Sequence, residues 1–376
     1  MQVPLSNPDI TNLERRYVQS VLETPHLSLG PVLPKFESSF AQYLGTRHAI
    51  AVNSGTSGLH LAVKALDIRE DDVVVTTPFS FVASANCILF ERAKPLFVDI
   101  DSITYNIDCN KMEKAIDQFD NKKGVIKAVL PVHVFGRPCD MEKIMKIARK
   151  HNLHVIEDAC EAIGAEYLEK KVGTFGDIGV FAFYPNKQMT TGEGGMIVTN
   201  NEKIASLCKS LRNQGRAESG EWLLHERLGY NYRLSEINCA LGLAQLERIE
   251  ELITKRAEIA ELYNTKLQDL DEIRIATAVK GIEKISWFVY VVQLSNTYSR
   301  EDRDVILSGL RKAGIGCNNY FSPIHLQPFY QQMFGFKEGD FPVTEHVAAR
   351  TIALPFYNNL KEEQIKFVTE TLKKLL

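Results

Sequence analysis

Between His48 and Thr199 the chain alternates short apolar runs with segments of helical length. The runs are HAIAV (48–52), VVVTT (73–77), PLFVDI (95–100), VIKAVLPVHV (125–134), LHVIED (153–158), VFAFY (180–184) and MIVT (196–199). Helix-sized segments such as Ser57–Leu66, Ser80–Glu91 and Met141–His151 lie between them. Strands that are apolar on both faces and alternate with helices predict a largely parallel sheet covered by helices. The expected fold class is therefore α/β, with seven strands. Upstream, 7–22 and 35–44 read as amphipathic helices, the second stopped by Gly45.

After Ser235 the alternation ends. The proline-free stretch Ser235–Leu270 spaces Ile237, Leu241, Ala244, Ile249 and Leu252 as a helix would, and reads as one long helix or two. The rest is mixed: a strand over Ile285–Leu294, a helix over Arg300–Ala313, a short strand at Ile352–Pro355 and a closing helix over Lys361–Leu375. This divides the chain near residue 248 into a large unit, 1–248, and a smaller α+β unit, 249–376.

Composition narrows the function. A net charge of −3 argues against nucleic acid or an anionic membrane as partner. No apolar run reaches the roughly 20 residues of a membrane span, and the first residues show no signal peptide. The seven cysteines are scattered and never CxxC, so neither disulfides nor a zinc site is expected, and a cytoplasmic location fits best.

In an α/β sheet the chemistry sits just beyond the carboxyl ends of the strands. After the first run comes Asn53-Ser54-Gly55-Thr56-Ser57-Gly58, a small-residue turn opening a helix, where free N–H groups and the helix dipole suit an anion. The plain alternative is a tight turn with Ser57 as helix cap. The fifth run ends at Glu157-Asp158, and a carboxylate there needs a cationic partner. The alternative is an N-cap for a helix over 159–165, with Glu161 as capping-box partner. The sixth run is followed by Lys187. Most lysines are solvated surface charges, but this one shares a sheet edge with the turn and the carboxylate. An anion cradle, an acid for a pyridinium nitrogen and an imine-forming amine are the parts a pyridoxal phosphate site requires.

Through these motifs the sequence resembles the sugar aminotransferase family named after DegT, DnrJ, EryC and StrS. The matching segments include NSGTSGLHLA (53–62), TPFSFVASAN (77–86), IEDACEAIGA (156–165), GTFGDIGVFAFYPNKQMTTGEGGMIVTN (173–200), GYNYRLSEINCALGLAQL (229–246) and PIHLQPFY (323–330). The resemblance implies a fold-type-I pyridoxal phosphate aminotransferase acting on nucleotide-linked keto sugars as a homodimer. It implies Lys187 as Schiff-base lysine and proton shuttle, and Asp158 as partner of the pyridinium nitrogen. It implies Gly55, Thr56 and Ser57 at the phosphate, Phe81 stacked on the ring, and Asn231 reaching the neighbouring subunit's phosphate. Tyr320 and His325 fall where the family faces the sugar, with a packed tyrosine and a structural histidine as the alternatives; Tyr184 and Arg233 are further substrate-side candidates.

Two positions depart from the family pattern. Ala182 replaces a serine that donates to the phosphate, and Glu161 replaces Gln or His beside the cofactor's phenolic oxygen. An ionised glutamate would repel a phenolate, so Glu161 is expected to be protonated or turned away. Retention of Lys187 argues for transamination rather than dehydration. The GEGG after it points to amination at C4 of a 4-keto-6-deoxy sugar, with L-glutamate as donor. Amination at C3 or of an inosose is the alternative, and a non-catalytic regulatory or binding protein on the same fold is the reading from another class.

Overall fold

The computed structural model describes residues 1–217 and 223–376. Thirteen strands are found among them: β1 (His48–Val52), β2 (Asp72–Thr76), β3 (Lys94–Phe97), β4 (Val125–Val129), β5 (His154–Asp158), β6 (Glu166–Tyr167), β7 (Lys170–Lys171), β8 (Ile178–Ala182), β9 (Gly195–Thr199), β10 (Ile273–Arg274), β11 (Glu283–Lys284), β12 (Tyr290–Leu294) and β13 (Thr351–Leu354). Seven of them form the main sheet in the order β1-β9-β8-β5-β4-β2-β3. All neighbours run parallel except β9, which is antiparallel to both β1 and β8.

Each strand feeds two cores, as a side-chain period of two requires. Ile50 and Val52 of β1, Val180 of β8 and Ile197 of β9 enter one core; Ala49, Ala51, Phe181, Met196 and Val198 enter the other. The covering helices start at side-chain caps: Ser54, Asp108, Asp140, Asn201 and Ser235 each accept backbone N–H bonds from the first turn that follows.

Beyond the main sheet, β10-β12-β13 form a second, antiparallel sheet. It packs with the helices Ile249–Leu267, Arg300–Lys312 and Glu362–Leu375 around its own core. Val3 belongs to that second core and bridges to Ile315, although it lies at the other end of the chain. A ribbon β11-β6-β7 links residues 283–284 back to 166–171.

Several expected elements are shorter. The 125–134 run is a strand only to Val129, because Pro131 cannot donate to a ladder. The 285–294 run pairs only from Tyr290, and the 95–100 run ends at Phe97. Ser235–Leu270 is two helices, Glu236–Glu247 and Ile249–Leu267, meeting at Arg248. Residues 159–165 are turns, not a capped helix. Gly164 there sits at φ +80°, where an added Cβ would lie 2.3 Å from Ile253. No helix among the described residues is long and apolar enough to cross a membrane.

Candidate active site

The ends of β1, β5 and β8 open onto one cavity of about 540 Å³. That is a ligand-sized space. Gly55, Thr56, Asp158, Glu161 and Lys187 all line it.

The anion-binding wall is the start of the helix Gly55–Ala65. Ser54 caps it, its Oγ accepting from the Ser57 N–H at 3.0 Å. The N–H groups of Gly55 and Thr56 precede the first intrahelical donor, the Gly58 N–H that bonds to Ser54 O, and so point to a ligand. Ser57 does not line the cavity. It is buried, and its hydroxyl accepts from the Ser54 hydroxyl at 2.9 Å. The expected role of Ser57 at the phosphate is thus not seen in its side chain, which lies outside the cavity against Ser54, and the cap is Ser54 rather than Ser57. Ala182 at the end of β8 leaves no hydroxyl on this wall. Its methyl packs so closely that a Cβ on Gly55 would lie 2.6 Å from it. Hydroxyl chemistry is left to Ser54 and Thr56, which both line the cavity.

Asp158 closes the opposite end. It is 4% exposed, and Ser84 Oγ donates to its Oδ2 at 2.7 Å while the Cys160 N–H donates to Oδ1 at 3.1 Å. Among the described residues no cation pairs with it. A buried carboxylate with unused acceptor capacity facing a cavity suits a cationic N–H ligand. Glu157, one residue earlier, points to the other face. There it accepts from the N–H groups of Gly173, Phe175 and Gly176 at 2.7, 2.6 and 2.7 Å. Strand alternation separates the two acids: Glu157 ties down the loop leading into β8, and Asp158 faces the ligand.

Lys187 stands in the loop between β8 and β9. Its Nζ lies 3.5 Å from Glu161 Oε1 and 3.7 Å from the centre of the Phe288 ring. Glu161 is not turned away; it is 6% exposed and faces the lysine, its Oε2 accepting from the Phe135 N–H at 2.9 Å. Burial raises its pKa above the ordinary carboxylate value and outweighs the lowering influence of Lys187 and the Phe135 N–H. Phe135 itself has φ +57°, an uncommon conformation for an aromatic residue, which aims its N–H at that carboxyl.

On the open side Phe81 and Tyr184 line the cavity at 60% and 52% exposure, and Tyr320 is half-buried beside them. Burial raises the Tyr320 hydroxyl's pKa, so it stays a neutral donor. His325 is not brought to the site. It is fully buried, its Nε2 is 2.9 Å from Glu345 and its ring packs edge-on against Phe341. Its structural alternative is the one realised. Asn231 and Arg233 do not line this cavity either. Asn231 is exposed, and Arg233 donates to Asn213 Oδ1 at 3.0 Å. Residues 218–222, between these positions and the helix Glu202–Arg212, lie outside the described residues.

Sequence reasoning missed Ser84, Phe288 and Arg256. Ser84 had a usable signal: it follows Ser80 by four residues, and the two hydroxyls lie 2.7 Å apart. Phe288 arrives from the segment just before β12 with no local signature. A second cavity, of about 490 Å³, opens beside Arg137 and Lys143, but these cations already pair with Glu283 and Asp140 at 2.9 and 3.1 Å.

The residues present fit pyridoxal phosphate: free N–H groups for a phosphate, a buried unpaired carboxylate for a ring N–H, and an amine between them. Comparison with known proteins agrees. GDP-perosamine synthase of Escherichia coli O157:H7 is 36% identical over 373 residues, covering 99% of this chain and 98% of that protein. The structure of Helicobacter pylori PseC, an aminotransferase involved in the biosynthesis of pseudoaminic acid, matches with 30% identity and a TM-score of 0.93, covering 100% of this chain and 99% of PseC. Spr1654 of Streptococcus pneumoniae, a putative sugar aminotransferase, matches at 25% identity and 100% coverage of this chain. Its PLP form has a TM-score of 0.92 with 98% of that chain covered, and its PMP form 0.93 with 99%. Residues 8–373 match the model of the DegT/DnrJ/EryC1/StrS aminotransferase family. The chain therefore belongs to this family of pyridoxal phosphate-dependent aminotransferases.

Proposed function

We propose that this aminotransferase transfers an amino group from L-glutamate to C4 of a nucleotide-linked 4-keto-6-deoxy sugar, giving 2-oxoglutarate and an amino sugar nucleotide. The observation that carries the reading is one cavity with an amine, Lys187, between an anion-binding helix start and a buried acid. Its remaining wall is aromatic and open to solvent. A relative named GDP-perosamine synthase, alike over nearly the whole chain, supports a nucleotide sugar as acceptor.

Pyridoxal phosphate, when bound, supplies an electron sink that lets a Cα–H bond of the donor ionise. The protein does the rest. Gly55 and Thr56 would hold the phosphate, and Asp158 would hold a proton on the ring nitrogen. Lys187 would take the donor's Cα proton. In the second half it delivers a proton to the sugar carbon that receives the nitrogen. Glu161, whose pKa burial raises, would sit beside the phenolic oxygen, and a proton on it there would turn repulsion into a hydrogen bond. Phe81 would cover the ring, and Tyr184 and Tyr320 would contact the sugar.

The same reading makes the enzyme a homodimer in which Asn231 serves the neighbouring subunit's site, supported by Asn231's exposure outside its own cavity. It divides the chain into units 1–248 and 249–376, supported by the helix break at Arg248. It places the enzyme in the cytoplasm, supported by seven unpaired cysteines.

The test is a panel of 4-keto and 3-keto nucleotide sugars and inososes, assayed with L-glutamate by mass spectrometry. Amination of a 4-keto-6-deoxy sugar nucleotide in preference to the rest is expected. Preference for a 3-keto sugar or an inosose would replace the acceptor, and failure of L-glutamate to bleach the yellow holoenzyme would replace the donor.

A further inference from the structure

Arg256, on the helix Ile249–Leu267, is 2% exposed. Among the described residues no carboxylate forms an ion pair with it. Burial pushes its pKa down to about 10. A buried guanidinium without a counter-ion costs stability unless its N–H groups are well used. Here the Nη groups are spent on backbone carbonyls of two separate segments, while Nε has no hydrogen-bond partner among the described residues. Nη2 donates to Lys187 O at 2.9 Å and to Asn186 O at 3.4 Å. Nη1 donates to Phe288 O at 3.1 Å and to Trp287 O at 3.5 Å. The first pair carries the amine of the site, and the second carries the ring on which that amine rests.

We infer that Arg256 is a positioning residue: its planar fork clamps the Lys187 loop to the 287–288 segment and fixes where the Lys187 amine points. This rests on the proposed role of Lys187 as the cofactor's attachment point. A rigid fork can serve two segments at once in a way a flexible ammonium cannot. Neighbouring contacts brace the same join. Gln188 Nε2 donates to Glu161 O at 2.6 Å and to Ser286 O at 2.9 Å. The Ser286 N–H donates to Gly136 O at 3.0 Å, an approach so close that a Cβ on Gly136 would lie 1.7 Å from Ser286 O. Arg256 comes from the helix that follows the break at Arg248, so the second unit acts on the lysine of the first.

The test separates attachment at the lysine from occupancy of the phosphate site. Apoprotein is mixed with pyridoxal phosphate and quenched with borohydride over time. Peptide mass then gives the rate of fixation at Lys187. Affinity for pyridoxamine phosphate, which cannot bond to lysine, is measured in parallel, as is amide exchange of the apoprotein. Arg256→Met is expected to slow fixation at Lys187 roughly 10²-fold, the penalty of a displaced reacting group. It should leave pyridoxamine phosphate affinity unchanged and speed exchange at 184–190 and 285–289 alone. Arg256→Lys should recover part of the rate.

Fixation and exchange at wild-type values in folded Arg256→Met would overturn the inference. So would a loss of protection spread evenly over the protein with affinity and fixation falling together. Should Arg256→Met fail to fold, Arg256→Lys decides: loop-confined exchange with slowed fixation supports the clamp, and wild-type rates refute it. Fixation of wild type at another lysine would instead overturn the reading of Lys187, and the clamp with it.

Discussion

The two walls of the cavity are built differently. The cofactor wall uses strand ends and a helix start, and its acids are at most 6% exposed and held by two or more neighbours each. The open wall is made of loop residues, and Phe81 and Tyr184 are more than half exposed. Position on the cofactor wall follows from the sheet, whose register leaves each side chain one direction. Position on the open wall depends on what comes to cover it. The chemistry common to a family can therefore sit on the first wall, while selectivity is free to vary on the second.

The sharpest test of that contrast is Lys187→Ala. It should retain the cofactor through the helix start and Asp158 yet lose about 10⁴-fold in single-turnover transamination, as removal of an essential acid–base group does. Loss of the cofactor itself would show that the wall cannot act without its amine. Next, Asp158→Asn should lower kcat by about 10²–10³-fold with little change in KM, since its carboxylate acts on charge that develops during reaction. An effect confined to KM would make Asp158 a binding group only.

Across the cavity the expected effects shrink. Tyr320→Phe should weaken the sugar half-reaction by about tenfold, the worth of one hydrogen bond, and leave the L-glutamate half-reaction unchanged. Equal loss in both halves would move Tyr320 to the cofactor wall.

Glu161→Gln addresses stability. The folded-state pKa of Glu161 is raised, so its contribution to apoprotein stability is fully present below the unfolded value of about 4.5 and is lost as pH rises through the folded value. The glutamine variant should therefore melt higher than wild type near neutral pH, with the difference closing as pH falls below about 4.5. A difference independent of pH would mean that ionisation is not its cause. The smallest effect is expected for His325→Gln, which should leave both half-reactions at wild-type rates because the ring lies outside the cavity. A selective loss in the sugar half would restore His325 to the substrate side.

The strand ends were readable because apolar runs mark buried parallel strands, and chemistry then follows at known places. Asp158 and Lys187 could be picked out on that basis, and so could the turn at Gly55. Ser57 lies against Ser54 and outside the cavity, and the cap of its helix is Ser54, three residues earlier. The alternative of a capped helix over 159–165 is not realised, although an acid followed by a glutamate three residues on imitates a capping box. In the fold, Glu161 Oε2 accepts from Phe135 instead. Phe288 and Arg256 left no trace in the sequence. One is one of three aromatics in the strand-like run 285–294 and the other a basic residue in a charged helix, and their meaning arises only where two distant segments meet.

The antiparallel strand β9 carries a consequence for how the enzyme forms. Its pairing with β8 is a local hairpin closed by the lysine loop, but its pairing with β1 joins Thr199 to His48, far back in the chain. Contacts that distant are entropically slow to close. The helix start at Gly55 follows directly on β1, so the phosphate cradle meets the lysine only when this last pairing is made. Unfolded and half-folded chains lack the assembled pocket. Cofactor in hundredfold excess over its Kd would then favour the completed fold by about 2.7 kcal/mol, which makes vitamin supply a factor in the yield of folded enzyme.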